Sequence, residues 1–247
     1  MSILDRQTHH ELDTWRTLLD RALSAIETVE RSSGVRQQIR IGGGTVLSAL
    51  WGHRYSKDVD LFTRDPQTLG HLRPWLNDNV AAILGTNYEE GSNAIKFRLT
   101  AGSIDVVAAA DILPDSVPTT ETYRGRTVEI EDPAEIIAKK LFHRGDRGTV
   151  RDYVDLVEAF DRMPNLATRL ARPLRGKIAR SMEVLTQISE DRLGEQLLSI
   201  RFIGAPPPTD EIRVRALAAM KAISDGDDPQ TAAQHAAWLA AKRGNGR

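Results

Sequence analysis

Over residues 8 to 31, Leu12, Trp15, Leu18, Leu19, Leu23, Ile26 and Val29 recur at helical spacing, which predicts an amphipathic first helix. Gln38 to Ile41 then reads as a short strand, Val46 to Trp51 as a short helix and Val59 to Thr63 as a second strand. After Pro66, apolar positions at Leu69, Leu72, Trp75, Leu76, Val80 and Ile83 predict one helix reaching about Leu84. Strands follow at Tyr88 to Glu90, Ala94 to Thr100 and Ile104 to Ala109. The last two form a hairpin, with Ala101-Gly102-Ser103 as the small-residue turn and alternation in Ile95-Lys96-Phe97-Arg98-Leu99 marking one buried face.

Ile112 to Arg126, broken by Pro114, Pro118 and Gly125, reads as a long loop leading to a strand at Thr127 to Ile130. Asp132-Pro133-Ala134-Glu135 then has the residues of a helix start. Helical spacing continues over about 134 to 145, 149 to 162, 165 to 188, 190 to 203, 209 to 224 and 228 to 243. The expected organisation is an α+β domain over 1–131 and an all-α domain over 132–247.

A chain of 247 residues with 40% hydrophobic and 27% charged content can bury a core of ordinary size. The formal net charge of -1 names no partner, and the lack of cysteine rules out thiolate chemistry and disulfides. The N-terminal residues lack a signal-peptide pattern, and no run approaches the ~18 apolar residues of a membrane span. A soluble cytoplasmic protein without a membrane partner is expected. His9 and His10 have no third ligand at metal spacing nearby.

The chemistry concentrates between residues 41 and 62. Gly42-Gly43-Gly44-Thr45 opens a helix, whose backbone N–H groups and positive end suit phosphate oxygens. Asp58 and Asp60 follow, and period 2 in a strand places both carboxylates on one face while Val59 and Leu61 face the core. Either element alone is ordinary, a loop or a solvated strand face; together they can hold the two parts of Mg·NTP. The glycines are not a P-loop, which needs Gly-Lys-Ser/Thr at the helix start, and their consecutive spacing does not fit the dinucleotide fingerprint. Asp105, in the otherwise apolar Ile104-Asp105-Val106-Val107, is a charge out of place in a core and makes sense as a third metal ligand; the plain alternative is an Asp bonding backbone near a turn. Asp111 and Asp115 in the loop beyond are weaker candidates.

Gly43-Gly44-Thr45-x-Leu47 followed by Arg54-x-Ser56-x-Asp58-x-Asp60 resembles the polymerase-beta-like nucleotidyltransferases, and more narrowly the AbiEii/AbiGii-type (MenT-like) toxin family. Lys140-Leu141 and Arg151-Asp152-x-x-Asp155 match that family's second motif, while Lys139 has no counterpart in it, and the resemblance spans about residues 36 to 160. It implies a core of mixed sheet and flanking helices followed by a helical domain. It also implies an active site of Asp58, Asp60, Asp105, Lys140 and Asp152, with the first three holding Mg²⁺ or Mn²⁺. Gly43, Gly44, Thr45 and Ser56 would hold the NTP substrate, joined by Arg147 and Arg151, which can fork to phosphate oxygens. Asp155 reads as structural. The implied biology is a toxin with a cognate antitoxin, transferring a nucleotide to an acceptor such as the 3′ end of tRNA. A small-molecule or protein acceptor keeps the same chemistry, and a non-catalytic NTP-binding module is the alternative of another class.

Between Lys139 and Arg180 there are eleven Lys or Arg against five acidic residues, an excess of six positive charges in a near-neutral protein. Such a stretch can hold an RNA backbone or a polyphosphate, or be a solvated helical face. The tail Lys242-Arg243-Gly244-Asn245-Gly246-Arg247 adds a few further charges.

Overall fold

The computed structural model describes residues 2–5 and 14–226. His9, His10, the part of the expected first helix before Thr14, the helix expected over 228–243 and the basic tail lie outside the described residues. The described chain divides into two compact units. The first comprises the chain to Asp111 together with Val117–Asp132, and the second comprises Ile112–Ser116 together with the chain from Pro133 onward.

The first unit is built on a seven-stranded mixed sheet. Its strands are β1 (Ile39–Gly42), β2 (Val59–Thr63), β3 (Tyr88–Glu90), β4 (Ala94–Leu99), β5 (Gly102–Ala108), β6 (Thr119–Tyr123) and β7 (Arg126–Ile130), in the order β3-β4-β5-β2-β1-β7-β6. The central pairing β2–β5 is parallel, as is β1–β7, while β1–β2 and β4–β5 are antiparallel. Helix α1 (Thr14–Ser33) buries Trp15, Leu18, Leu19, Ala22, Ala25, Ile26 and Val29, the stripe its sequence spacing requires. It packs on β2, β5 and α4 (Asp78–Leu84). Val59 and Leu61 of β2 are buried, so by strand alternation Asp60 stands on the opposite face. Helix α2 (Gly43–Trp51) lies between β1 and β2 in the chain and packs on both.

Three elements of this unit differ from expectation. The helix expected from Pro66 to Leu84 is two short ones, α3 (Gln67–His71) and α4. Pro74 lacks the N–H that a continuous helix needs, and Asn77 caps a new start by accepting hydrogen bonds from the Asn79 and Val80 amides. Trp75 and Leu76, which fitted the apolar period, are exposed. The expected loop over 112–126 contains β6, joined to β7 by Arg124 and Gly125, both with positive φ (48° and 79°), as a two-residue hairpin turn demands. The β4–β5 turn is also tighter than expected: Gly102 and Ser103 belong to β5, so only Thr100 and Ala101 turn the chain.

The second unit is helical. Its elements are α5 (Pro133–Arg144), α6 (Val150–Arg162), α7 (Leu166–Ala171), α8 (Ile178–Gln187), α9 (Glu190–Leu198) and α10 (Thr209–Asp225). The single helix expected over 165–188 is broken between α7 and α8, where Pro173 is followed by Gly176 at φ 78°. Helix α10 packs on α6, α7, α8 and α9. At the head of α5, fully buried Glu135 accepts hydrogen bonds from the amides of Ile112 (2.7 Å) and Leu113 (2.8 Å), which ties the short segment before β6 into this unit.

Candidate active site

Asp60, Asp105 and Glu89 fall on one line across the sheet. Strand register pairs Gly42 with Asp60, Asp60 with Asp105, Asp105 with Lys96, and Lys96 with Glu89. Directly opposed residues in neighbouring strands share a face, so Asp60 and Asp105 stand side by side in mid-sheet. Asp58, one residue ahead of β2, is tied to the next row. Its Oδ1 accepts hydrogen bonds from the amide (2.9 Å) and the hydroxyl (3.1 Å) of Ser103, and the same hydroxyl lies 3.1 Å from Asp105 Oδ2. Ser103 thereby links two of the three carboxylates. Lys96 Nζ donates to both oxygens of Asp105, at 2.9 and 2.7 Å. A groove of about 410 Å³ opens beside Asp58, lined by Lys57, Lys96, Arg98 and the β4–β5 turn.

The glycine turn closes on this row from the other side. Gly43 has φ 69°, and a Cβ built there would lie 1.9 Å from Asp60 Oδ2. Only glycine lets the backbone come so near the carboxylate. The amides of the first turn of α2 have no intrahelical acceptors and sit at the positive end of the helix dipole. Thr45 is 2% exposed, and its hydroxyl bonds the Ser56 hydroxyl (2.7 Å) and the Asp58 carbonyl, so both side chains brace the turn against the start of β2. Arg54, at 0% exposure, donates to the carbonyls of Tyr55 (3.1 Å) and Gly44 (3.5 Å), while Ser48 bonds the Arg54 carbonyl. Replacing Gly43 by Ala should displace Asp60 and lower nucleotide transfer about 100-fold with a smaller loss of stability; a labelled-NTP assay beside a thermal melt separates the two.

In the second unit Lys140 and Asp152 meet. Lys140 Nζ lies 2.6 Å from Asp152 Oδ1 and 3.2 Å from Asp155 Oδ2, and all three side chains are largely buried. Asp152 also accepts from the amide (3.1 Å) and hydroxyl (2.9 Å) of Thr149, closing the first turn of α6. Burial works against the charged form of Asp152, but Lys140, the Thr149 amide and Arg144 together hold its carboxyl below the ordinary value of 3.8. A group depressed on folding contributes stability above its unfolded value, which is lost as pH falls through the folded one. Asp152→Asn should therefore cost this unit about 2 kcal/mol at neutral pH, and the gap to the parent should close only below about pH 4. Urea denaturation across pH 3 to 7 measures it.

Arg147 and Arg151 are exposed near the start of α6. Among the other cations of the basic stretch, Lys139 is buried 3.7 Å from Glu135, Arg162 pairs with Glu158 and Arg180 with Glu183. Arg144 ends α5 and Lys177 stands at the start of α8, both exposed; burial first, and then the charges of Lys139, Lys177 and Arg144, push the His143 pKa down. Lys177 Nζ stands 5.0 Å from the Phe142 ring centroid. The weaker acidic candidates have structural partners. Asp111 takes two hydrogen bonds from Arg40 (3.0 and 2.9 Å) and one from Arg64, and Asp115 pairs with Arg169 at 2.8 Å.

Sequence reasoning assigned no role to Lys96, Ser103 or Arg54. The polar positions of β4 were visible in the alternation, but which of them faces Asp105 depends on the turn length.

The AbiEii nucleotidyl transferase toxin profile, described as a type IV toxin-antitoxin component, matches residues 29–240. The chain belongs to this family. It is therefore a nucleotidyltransferase of the toxin class. Similar solved structures include MenT4, a nucleotidyltransferase toxin from Mycobacterium tuberculosis, at 17% identity and TM-score 0.49, covering 90% of this chain and 92% of that one. JHP933 from Helicobacter pylori is 13% identical with TM-score 0.45, covering 96% and 100%. The antibiotic-resistance factor ANT(2'')-Ia is 13% identical with TM-score 0.39, covering 93% and 95%. No curated protein sequence matches the chain significantly. Among the described residues no helix is long and apolar enough to cross a membrane.

Proposed function

We propose that this AbiEii-family toxin transfers NMP from an NTP to a hydroxyl of a phosphate-bearing acceptor, the 3′ end of tRNA, in the cytoplasm, and is held in check by a cognate antitoxin. The observation that carries the reading is the side-by-side pairing of Asp60 and Asp105, with Asp58 linked to Asp105 through Ser103 and the glycine turn pressed on Asp60. Three carboxylates on one face offer the hard oxygen donors that Mg²⁺ or Mn²⁺ prefers.

Divalent cations bound by Asp58, Asp60 and Asp105 would stabilise charge on both the attacking and the leaving oxygen. Backbone amides of Gly43, Gly44 and Thr45 receive the triphosphate, with Thr45 and Ser56 fixing the turn that presents them. Asp105 takes the proton of the acceptor hydroxyl as its oxygen bonds to the α-phosphorus, and the bond to pyrophosphate breaks. Lys140 offsets the charge of the departing pyrophosphate, with Asp152 orienting its ammonium group, and Arg147 and Arg151 contact phosphate oxygens. The exposed cations around Arg144 and Lys177 favour a polyanionic acceptor over a small neutral one.

The test is incubation with each of four α-labelled NTPs, Mg²⁺ and total tRNA, followed by electrophoresis. Label on tRNA with one base preferred supports the reading. Label on protein or on a small molecule replaces the acceptor, and Mg²⁺-dependent NTP binding with no transfer overturns catalysis itself.

A further inference from the structure

The least expected contact in the acidic row is the one made by Lys96. Its ammonium donates to both oxygens of Asp105, at 2.9 and 2.7 Å, from the strand position directly opposite. Ser103 Oγ lies 3.1 Å from Asp105 Oδ2. Asp105 thus has a cation on both oxygens and a hydroxyl beside one of them. A divalent ion bound through this carboxylate must share it with a positive charge already in place.

The side chain is free to give way. Lys96 is 34% exposed and borders the open groove, and a four-carbon stem with rotatable bonds can swing its ammonium toward solvent or toward a ligand phosphate. Glu89 is its opposite neighbour on β3, with Arg98 already bonded to that carboxylate at 2.9 Å, so an anionic seat lies on the far side as well. Asp105 keeps its place without Lys96, because the β2–β5 ladder fixes its backbone and Ser103 remains beside it.

We propose that Lys96 is a tethered counter-cation for the third carboxylate: it neutralises Asp105 while the site is empty and is displaced when a divalent ion binds there. This rests on the metal-binding reading above. Its consequence is that the site is tuned to weak metal affinity in the absence of nucleotide, since a carboxylate already paired with an ammonium attracts a divalent ion less than the same carboxylate without one. An ion carried in with the triphosphate brings its own anionic ligands and meets less opposition.

The probe is Mn²⁺ alone, titrated without nucleotide and followed by electron paramagnetic resonance of the unbound ion. Lys96→Met keeps the stem and removes the charge; it should bind Mn²⁺ about tenfold more tightly than the parent. Lys96→Gln, which is polar and uncharged, should behave alike, so a packing defect in one variant does not decide the matter. In an Asp105→Asn background Lys96→Met should change Mn²⁺ affinity by less than about twofold. Equal or weaker binding by both Lys96 variants, with the parent binding Mn²⁺, overturns the proposal and leaves the metal site standing. Failure of the parent and of both Lys96 variants alike to bind Mn²⁺, or binding untouched by Asp58→Asn and Asp60→Asn, overturns the metal reading and this proposal with it.

Discussion

Asp58→Asn should abolish nucleotide transfer, lowering its rate by about 10³-fold or more, while the protein remains folded. Asn keeps the shape and an Oδ1 that can still accept from the amide and hydroxyl of Ser103, so the bonds between β5 and the start of β2 survive. What disappears is one negative charge from a face that carries three carboxylates. Asp60→Asn should have an effect of the same order, because Asp60 lies between the glycine turn and Asp105. Transfer of label from α-labelled NTP, compared with the circular-dichroism melt of the same preparations, separates loss of chemistry from loss of fold. Activity at the parent's level in a folded Asp58→Asn protein would falsify the metal assignment.

Arg54→Ala is expected to have the largest effect on stability. Arg54 is among the largest fully enclosed side chains in the chain, and its guanidinium reaches the carbonyls of Tyr55 and Gly44. Truncation leaves a cavity where a fully buried side chain stood and withdraws donors from two partly buried carbonyls, so a loss of about 3–5 kcal/mol is expected. Arg54→Lys should recover only part of it, because an ammonium lacks the planar fork that spans two carbonyls. Urea denaturation of both variants measures the loss. A midpoint for Arg54→Ala equal to the parent's would show that the glycine turn holds its shape without that anchor.

Elements whose burial alternates cleanly could be read from the sequence. β2 was expected with its observed limits because Val59, Leu61 and Thr63 face inward and Asp60 and Phe62 do not. β6 escaped because Tyr123 is its sole fully buried residue; its β-branched threonines and the following Arg124-Gly125 turn were the available signal. The helix over 67–84 was over-read because Trp75 and Leu76 keep the apolar period while remaining exposed. In the candidate site, the types and order of Asp58, Asp60 and Asp105 are what raise the expectation of metal chemistry. The partners of Asp105 did not follow, since a three-residue turn at Ala101-Gly102-Ser103 gives a different register from the two-residue turn that places Lys96 opposite it. Arg54 was visible as a motif residue, but its burial depends on contacts that close only in three dimensions.

The chain passes from the sheet unit into the helical unit at Ile112, returns at Val117 to supply β6 and β7, and leaves again at Pro133. No single cut separates the two bodies. A fragment ending at 132 would retain Ile112–Ser116 but lose Glu135, the acceptor for the Ile112 and Leu113 amides, and a fragment beginning at 133 would lack the segment that Glu135 holds. The two units are thus stitched rather than strung together. Exchange of the helical unit between relatives would have to carry two crossovers, which favours inheritance of both units as one piece.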